Sequence, residues 1–134
     1  MREIALIRGY EVGLDIIGIA RIERAISRWG DRFLSRVFTP RELEDCRGNA
    51  ASLAARFAAK EAVLKALRVG LARGIRWTDI EVVRNIEGAP SVSLHGAAKE
   101  LAQERGLQMW RVSLTHSDDM AAAIVVALTA EEAA

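Results

Sequence analysis

Arg56-Phe57-Ala58-Ala59-Lys60-Glu61-Ala62-Val63-Leu64-Lys65-Ala66-Leu67 is the densest run of charged and small residues in the chain, and the rest is read outward from it. Alanine, leucine, lysine and glutamate carry little helix penalty, so a long helix is predicted from about Ala51 to Arg68, with Gly70 placed to end it. Helical spacing puts Phe57, Glu61 and Lys65 on one face and Arg56 and Lys60 on the adjacent row. Spacing alone favours a solvated face with a Glu61–Lys65 pair worth roughly 0.2–0.5 kcal/mol. Two features weigh against it. The surrounding alanines let another backbone or a ligand approach closely, and three cations flank one carboxylate, a set that suits a phosphate ligand with a divalent metal. Magnesium takes one or two carboxylates plus phosphate oxygens and water, and Asp15 with Glu61 would supply the protein's share.

Upstream, Val12 to Ile17 is apolar except for Gly13 and Asp15, which predicts a short strand carrying one carboxylate. From Ile19, the residues Ile19, Ile22, Ile26, Trp29 and Phe33 recur every three or four positions, while Arg21, Arg24, Arg28 and Arg32 fill another stripe. That pattern predicts one amphipathic helix with a basic face. Thr39-Pro40-Arg41-Glu42 supplies a hydroxyl cap, a proline at the first helical position and a glutamate three residues after the cap, so a short helix starts there. Gly48-Asn49 interrupts it.

Downstream the period changes. Ile80 to Arg84, the turn-like stretch Asn85 to Pro90, and Ser91 to Leu94 predict a hairpin. Ala97 to Arg105 predicts a helix stopped by Gly106, followed by strands at Trp110 to Leu114 and Ala121 to Leu128. Glu131 to Ala134 reads as a frayed end. The expected class is α+β, with helices packed on a mainly antiparallel sheet, in a single domain over residues 1–134.

Composition narrows the function classes. The 134 residues fit one domain, and 51% hydrophobic with 28% charged residues is an ordinary globular mixture. Nineteen Lys and Arg against eighteen Asp and Glu give a net charge of +1, too even for a nucleic-acid partner. The single cysteine, Cys46, has no zinc-type spacing around it and reads as a buried or inert thiol in a reducing compartment. Met1 to Tyr10 has too short an apolar run for a signal peptide, and no stretch is long enough to span a bilayer, so a cytoplasmic protein with no membrane partner is expected.

Ser113-Leu114-Thr115-His116-Ser117-Asp118-Asp119 follows a strand and holds one of two histidines. Taken alone, His116 is a general base, a phosphate contact or a polar strand end. No Gly-x-Ser-x-Gly elbow, Walker loop or Gly-x-Gly-x-x-Gly element is present. The arginine stripe, with Glu23 and Asp31 interleaved, suits an acidic protein partner better than a nucleic acid.

Gly13-Leu14-Asp15-Ile16, Phe38-Thr39-Pro40-Arg41-Glu42-Leu43, Arg56 to Ala62 with Lys65-Ala66-Leu67, Trp77-Thr78-Asp79-Ile80-Glu81 and Ser113-Leu114-Thr115-His116 come in an order and spacing that resembles the holo-[acyl-carrier-protein] synthases. These are the small single-domain type of 4′-phosphopantetheinyl transferase. The resemblance spans about residues 11 to 128, leaving residues 1–10 as an N-terminal extension with no function assigned. Gly18 stands where the family often has a glutamate, and Arg68 to Ala72 replaces a more glycine-rich loop.

The resemblance implies transfer of 4′-phosphopantetheine from coenzyme A to a serine of apo acyl carrier protein, for fatty acid biosynthesis, leaving adenosine 3′,5′-bisphosphate. It implies magnesium as cofactor and a homotrimer whose sites lie between subunits. By position, Asp15 and Glu61 match the metal carboxylates and Lys65 the lysine near the pyrophosphate. Arg56 and Lys60 fall in the coenzyme-binding segment, His116 falls in the loop near the nucleotide phosphates, and Arg21, Arg28 and Arg32 fall on the carrier-docking helix. Either a metal-held water or Glu61 itself then takes the serine proton, and Lys65 steadies the departing bisphosphate. The alternatives are a transferase for a polyketide or other specialised carrier, and a catalytically silent module that only docks a carrier.

Overall fold

The computed structural model describes residues 5–132. The chain runs β1 (Ala5–Gly18), α1 (Ile19–Trp29), α2 (Asp31–Val37), α3 (Pro40–Cys46), α4 (Ala50–Leu67), a 3-10 turn (Trp77–Asp79), β2 (Ile80–Arg84), β3 (Pro90–Leu94), α5 (Gly96–Glu104), β4 (Leu107–His116) and β5 (Met120–Glu132). The α+β class holds. There are two sheets rather than one: a three-stranded sheet in the order β1-β5-β4 and the β2-β3 hairpin, with every pairing antiparallel.

Alternation on the large sheet decides what meets α4. On β1, Gly13 and Ile17 are buried and Asp15 is partly covered, whereas Tyr10, Val12, Leu14 and Ile16 are exposed. Ala121, Ala123, Val125 and Ala127 of β5 share the covered face, across from Ile17, Asp15, Gly13 and Glu11 in register. Helix α4 lies on that face, against β1 and β5. Its alanines are short enough to let the helix settle on the chain's own sheet: Ala54, Ala58, Ala59 and Ala62 have no exposed surface. The close approach expected for a ligand or partner backbone is thus taken up internally.

Gly13 is the point of closest approach. A Cβ placed there would stand 1.7 Å from the carbonyl oxygen of Ala62 and 2.6 Å from its carbonyl carbon. Backbone atoms cannot move aside like the end of a side chain, so only glycine allows this crossing. Gly13→Ala is expected to cost about 2–3 kcal/mol, the upper part of the usual overpacking range. Thermal denaturation measures it, and an unchanged melting temperature would show that the strand and helix do not meet there.

A buried ionic knot ties α3, α4 and β2 together. Thr39 caps α3 through a reciprocal capping box: its Oγ1 accepts from Glu42 N at 3.2 Å, and Glu42 Oε1 accepts from Thr39 N at 2.9 Å. Glu42 Oε1 also accepts from Lys60 Nζ at 2.8 Å, and Glu42 Oε2 accepts from Val82 N at 2.8 Å. Lys60 Nζ further donates to the carbonyls of Trp77, at 3.1 Å, and Ile80. Both charged side chains have no exposed surface. Burial pulls the Lys60 pKa down, while Glu42 pulls it back up.

Several boundaries depart from the sequence reading. The single helix from Ile19 through Phe33 is two helices, because Gly30 adopts φ 54° and ψ −131°. That conformation is open to glycine, and it turns the chain before Asp31. Gly70 does not end α4; Arg68 takes the left-handed position at φ 59°, and its N–H reaches the Lys65 carbonyl at 3.0 Å. The first strand extends beyond Val12–Ile17, with Ala5 to Ile7, Gly9 and Tyr10 of the N-terminal extension paired to β5, and Glu131 and Glu132 are strand rather than frayed end. Residues 1–4 and 133–134 lie outside the described residues. Cys46 is buried as expected, and burial raises its thiol pKa to about 11, which keeps it inert.

Candidate active site

Two elements place charge at the edge of the β1–α4 contact. Strand β1 turns Asp15 toward α4, in register with the small residue Ala123, and the Gly13 crossing draws the strand down onto the helix. Helix α4 presents Glu61 and, one turn on, Lys65. Lys65 Nζ donates to Asp15 Oδ1 at 3.0 Å and to the carbonyl of Leu14 at 2.9 Å. The pair expected from spacing, Glu61 with Lys65, is replaced by one that joins the helix to the strand. Asp15 is 18% exposed at its side chain and Lys65 is 54% exposed.

Glu61 is half-buried, and its pKa is raised, first by that burial and then by the negative charge of Asp15; Lys65 and Arg21 act in the opposite direction. Asp15 and Glu61 therefore feel each other in space, although they stand 46 positions apart in sequence. Arg21, assigned from sequence to carrier docking, also belongs to the electrostatic surroundings of this carboxylate pair. Among the described residues no group of three or more His, Cys, Asp or Glu is placed to hold a metal. The protein offers two oxygen-donor side chains, one of them paired with an exposed lysine, which fits magnesium completed by phosphate oxygens and water.

The neighbouring row of α4 divides. Lys60 was expected in the coenzyme-binding segment, and the structure corrects this: its ammonium is enclosed with Glu42 and two carbonyls and has no donor left for a ligand. Arg56, 4% exposed, donates from Nη1 to Ser52 O at 3.4 Å, and its Nε is buried without a partner among the described residues. Its charge partly offsets the burial that raises the Cys46 thiol, and Cys46 and Ser52, with Asp45, Arg47, Asn49 and Arg84, line a hollow of about 470 Å³. An orphaned guanidinium N–H at such a place is short of one anionic acceptor.

His116 is not brought into the cluster. It is exposed at the end of β4, with Nδ1 3.3 Å from Ser117 O. Its row across the sheet runs through Ala121 to Ile17, so it shares the α4-facing side with Asp15 but stands roughly 10 Å or more away, two strand spacings across. Arg21, Arg28 and Arg32 are all exposed. Gly30 sets Arg32 on α2 rather than α1, and the Arg28 guanidinium lies 5.0 Å from the Trp29 ring centre.

Sequence reasoning missed three contributors. Gly13 was quoted without a reason; a glycine inside a strand signals close backbone approach, and that signal was there to use. The Leu14 carbonyl left no sequence signal at all. The third is Arg68, whose Nε donates to Glu11 Oε1 at 3.0 Å, so the residue that departs from the family loop fastens the end of α4 to β1.

The profile of the 4′-phosphopantetheinyl transferase superfamily matches residues 11–125. A curated holo-[acyl-carrier-protein] synthase of Herpetosiphon aurantiacus is 51% identical over 122 residues, covering 87% of this chain and 96% of the relative. One from Moorella thermoacetica is 51% identical over 119 residues, with 87% and 91% covered. Among solved structures, the Helicobacter pylori holo-[acyl-carrier-protein] synthase in complex with coenzyme A superposes with a TM-score of 0.79 at 35% identity, over 87% of this chain and 98% of that one. The Plasmodium yoelii acyl carrier protein synthase with ADP bound gives 0.81 at 28% identity, over 96% and 99%. With the sequence, the fold and the relatives in agreement, the chain belongs to the 4′-phosphopantetheinyl transferase superfamily and, within it, to the holo-[acyl-carrier-protein] synthases.

Proposed function

We propose that this chain transfers the 4′-phosphopantetheine group of coenzyme A to a serine of apo acyl carrier protein, serving fatty acid biosynthesis in the cytoplasm. The observation that carries the reading is the junction of Asp15 from β1 with Glu61 and Lys65 from α4, in a chain with relatives of that name. Asp15 and Glu61 are the residues that would hold magnesium. The metal, when bound, neutralises the pyrophosphate and orients it for in-line displacement.

The chain's own residues do the rest. The Glu61 carboxylate takes the proton from the carrier's serine hydroxyl. The serine oxygen forms its bond to the phosphorus bearing pantetheine, and the bond from that phosphorus to the bridging oxygen breaks. Adenosine 3′,5′-bisphosphate leaves with the electron pair, and the Lys65 ammonium, on an exposed four-carbon stem, meets the charge. Arg47 and Arg84, which outnumber Asp45 in the hollow they line, suit the far phosphate of the same coenzyme, with the unpartnered Nε of Arg56 buried in the same helix segment as Ser52 of that lining. Chromatography for adenosine 3′,5′-bisphosphate tests the reaction: release should require coenzyme A, magnesium and apo carrier together. Equal release without carrier would contradict transfer.

The outward face of the large sheet supports assembly. Tyr10, Val12, Leu14, Ile16 and Ile124 are between 41% and 68% exposed there. An apolar strip of this kind is what a homotrimer would cover, and a shared interface would let His116 serve a neighbouring copy's nucleotide phosphates. Arg21, Arg28 and Arg32 are proposed to dock the acidic carrier. Because exposed charges are screened over about 10 Å at 0.1 M salt, the KM for the carrier should rise steeply with ionic strength while the KM for coenzyme A changes less. A flat carrier response would count against this docking face.

A further inference from the structure

We propose that Lys65 is a built-in counter-cation of the carboxylate pair, holding the metal's place at Asp15 until a pyrophosphate draws it away, so that metal and coenzyme A bind as a mutually dependent pair. The inference rests on the transferase reading above and adds to it an order in the binding. Its starting point is the bond Lys65 chooses. The side chain passes over Glu61, its neighbour one turn back, and sets its ammonium 3.0 Å from Asp15 Oδ1 and 2.9 Å from the Leu14 carbonyl. Two acceptors from one strand fix the ammonium beside a carboxylate that a cation would need.

The local charges are Asp15 and Glu61 against Lys65 and Arg21, two of each sign, so the resting site is neutral. A divalent cation arriving alone has to take Asp15 from an ammonium already on it. A pyrophosphate arriving alone meets two carboxylates. Arriving together, the phosphate accepts Lys65 and the carboxylates accept the cation, and every charge has a partner. Lys65 can make the exchange because its side chain is 54% exposed and flexible, unlike the enclosed Lys60. Binding linkage is reciprocal, so coenzyme A should tighten magnesium by the same factor as magnesium tightens coenzyme A.

Calorimetric titration without carrier tests this, using magnesium chloride alone, coenzyme A alone, and each in the presence of the other. The parent should bind magnesium alone weakly and gain at least about fivefold when coenzyme A is present, the low end of typical coupling between sites. Lys65→Met should bind magnesium alone at least about fivefold more tightly than the parent, with the mutual gain reduced; Lys65→Arg, which keeps the charge, should behave more like the parent. Thermal melts confirm that each variant is folded. If Lys65→Met binds magnesium alone no more tightly than the parent, the proposal is overturned. If coenzyme A fails to bind the parent at all, the transferase reading falls, and the metal-only comparison still decides the role of the lysine.

Discussion

Glu61→Gln is expected to reduce transfer by about a thousandfold or more, the scale on which removal of a group that meets developing charge acts, and to leave the melting temperature at neutral pH unchanged or higher. The two halves of this result belong together. Burial and the neighbouring Asp15 charge both disfavour the ionised Glu61, so its folded pKa lies above its ordinary 4.5. Between 4.5 and the raised value the folded chain binds more protons than the unfolded one, and stability falls as pH rises through that window. At neutral pH the carboxylate is therefore a cost to the fold, which the amide removes. Below pH 4.5 both states carry a proton and the variant's advantage disappears. A residue retained at such a cost is paid for by function. Denaturation curves at pH 7 and pH 4, beside a transfer assay, check both halves; full activity in Glu61→Gln would refute its assignment.

Lys60→Met gives the opposite pattern. Removing the ammonium leaves Glu42 charged and enclosed, still accepting from Thr39 N and Val82 N but without a counter-charge. Breaking one side of a buried pair costs about 3–5 kcal/mol, here across the junction of α3, α4 and β2. Neutralising Glu42 in the same chain should cost less than its separate effect, because the unpaired charge is then gone. Chemical denaturation of the two single variants and the double variant measures the coupling. Had Lys60 been a coenzyme contact, the same substitution would raise the KM for coenzyme A with little loss of stability.

The contrast between Lys60 and Lys65 marks where sequence stops speaking. They lie five residues apart on one alanine-rich helix, Lys60 next to Glu61 in sequence and Lys65 one turn after it. Alanine is small enough to face either core or solvent, so the pattern cannot say which row is inside. The structure puts the Arg56–Lys60 row against α3 and β2, and leaves the Phe57–Glu61–Lys65 row at the rim. Signals with their own local chemistry fared better. Thr39-Pro40-Arg41-Glu42 announced a capping box that is formed in full, and the stretch between Arg84 and Pro90 announced a hairpin that pairs from Ile80↔Leu94 to Arg84↔Pro90. The break at Gly30 was hidden because the apolar spacing runs across it, with Phe33 four residues after Trp29. Asp15 was legible as an oddity on a strand. Its meeting with Glu61 depends on strand register and on the Gly13 crossing, which involve residues far apart in the chain.

Two carboxylates and a lysine, Asp15, Glu61 and Lys65, are proposed to pass phosphopantetheine from coenzyme A to a carrier serine. The most direct measurement is the intact mass of apo acyl carrier protein after incubation with the chain, coenzyme A and magnesium, beside a chelated control and Glu61→Gln. The account predicts gain of one phosphopantetheine on the carrier, lost on chelation and lost again in the variant. An unmodified carrier in the complete mixture, with the protein folded and coenzyme A bound, would contradict it.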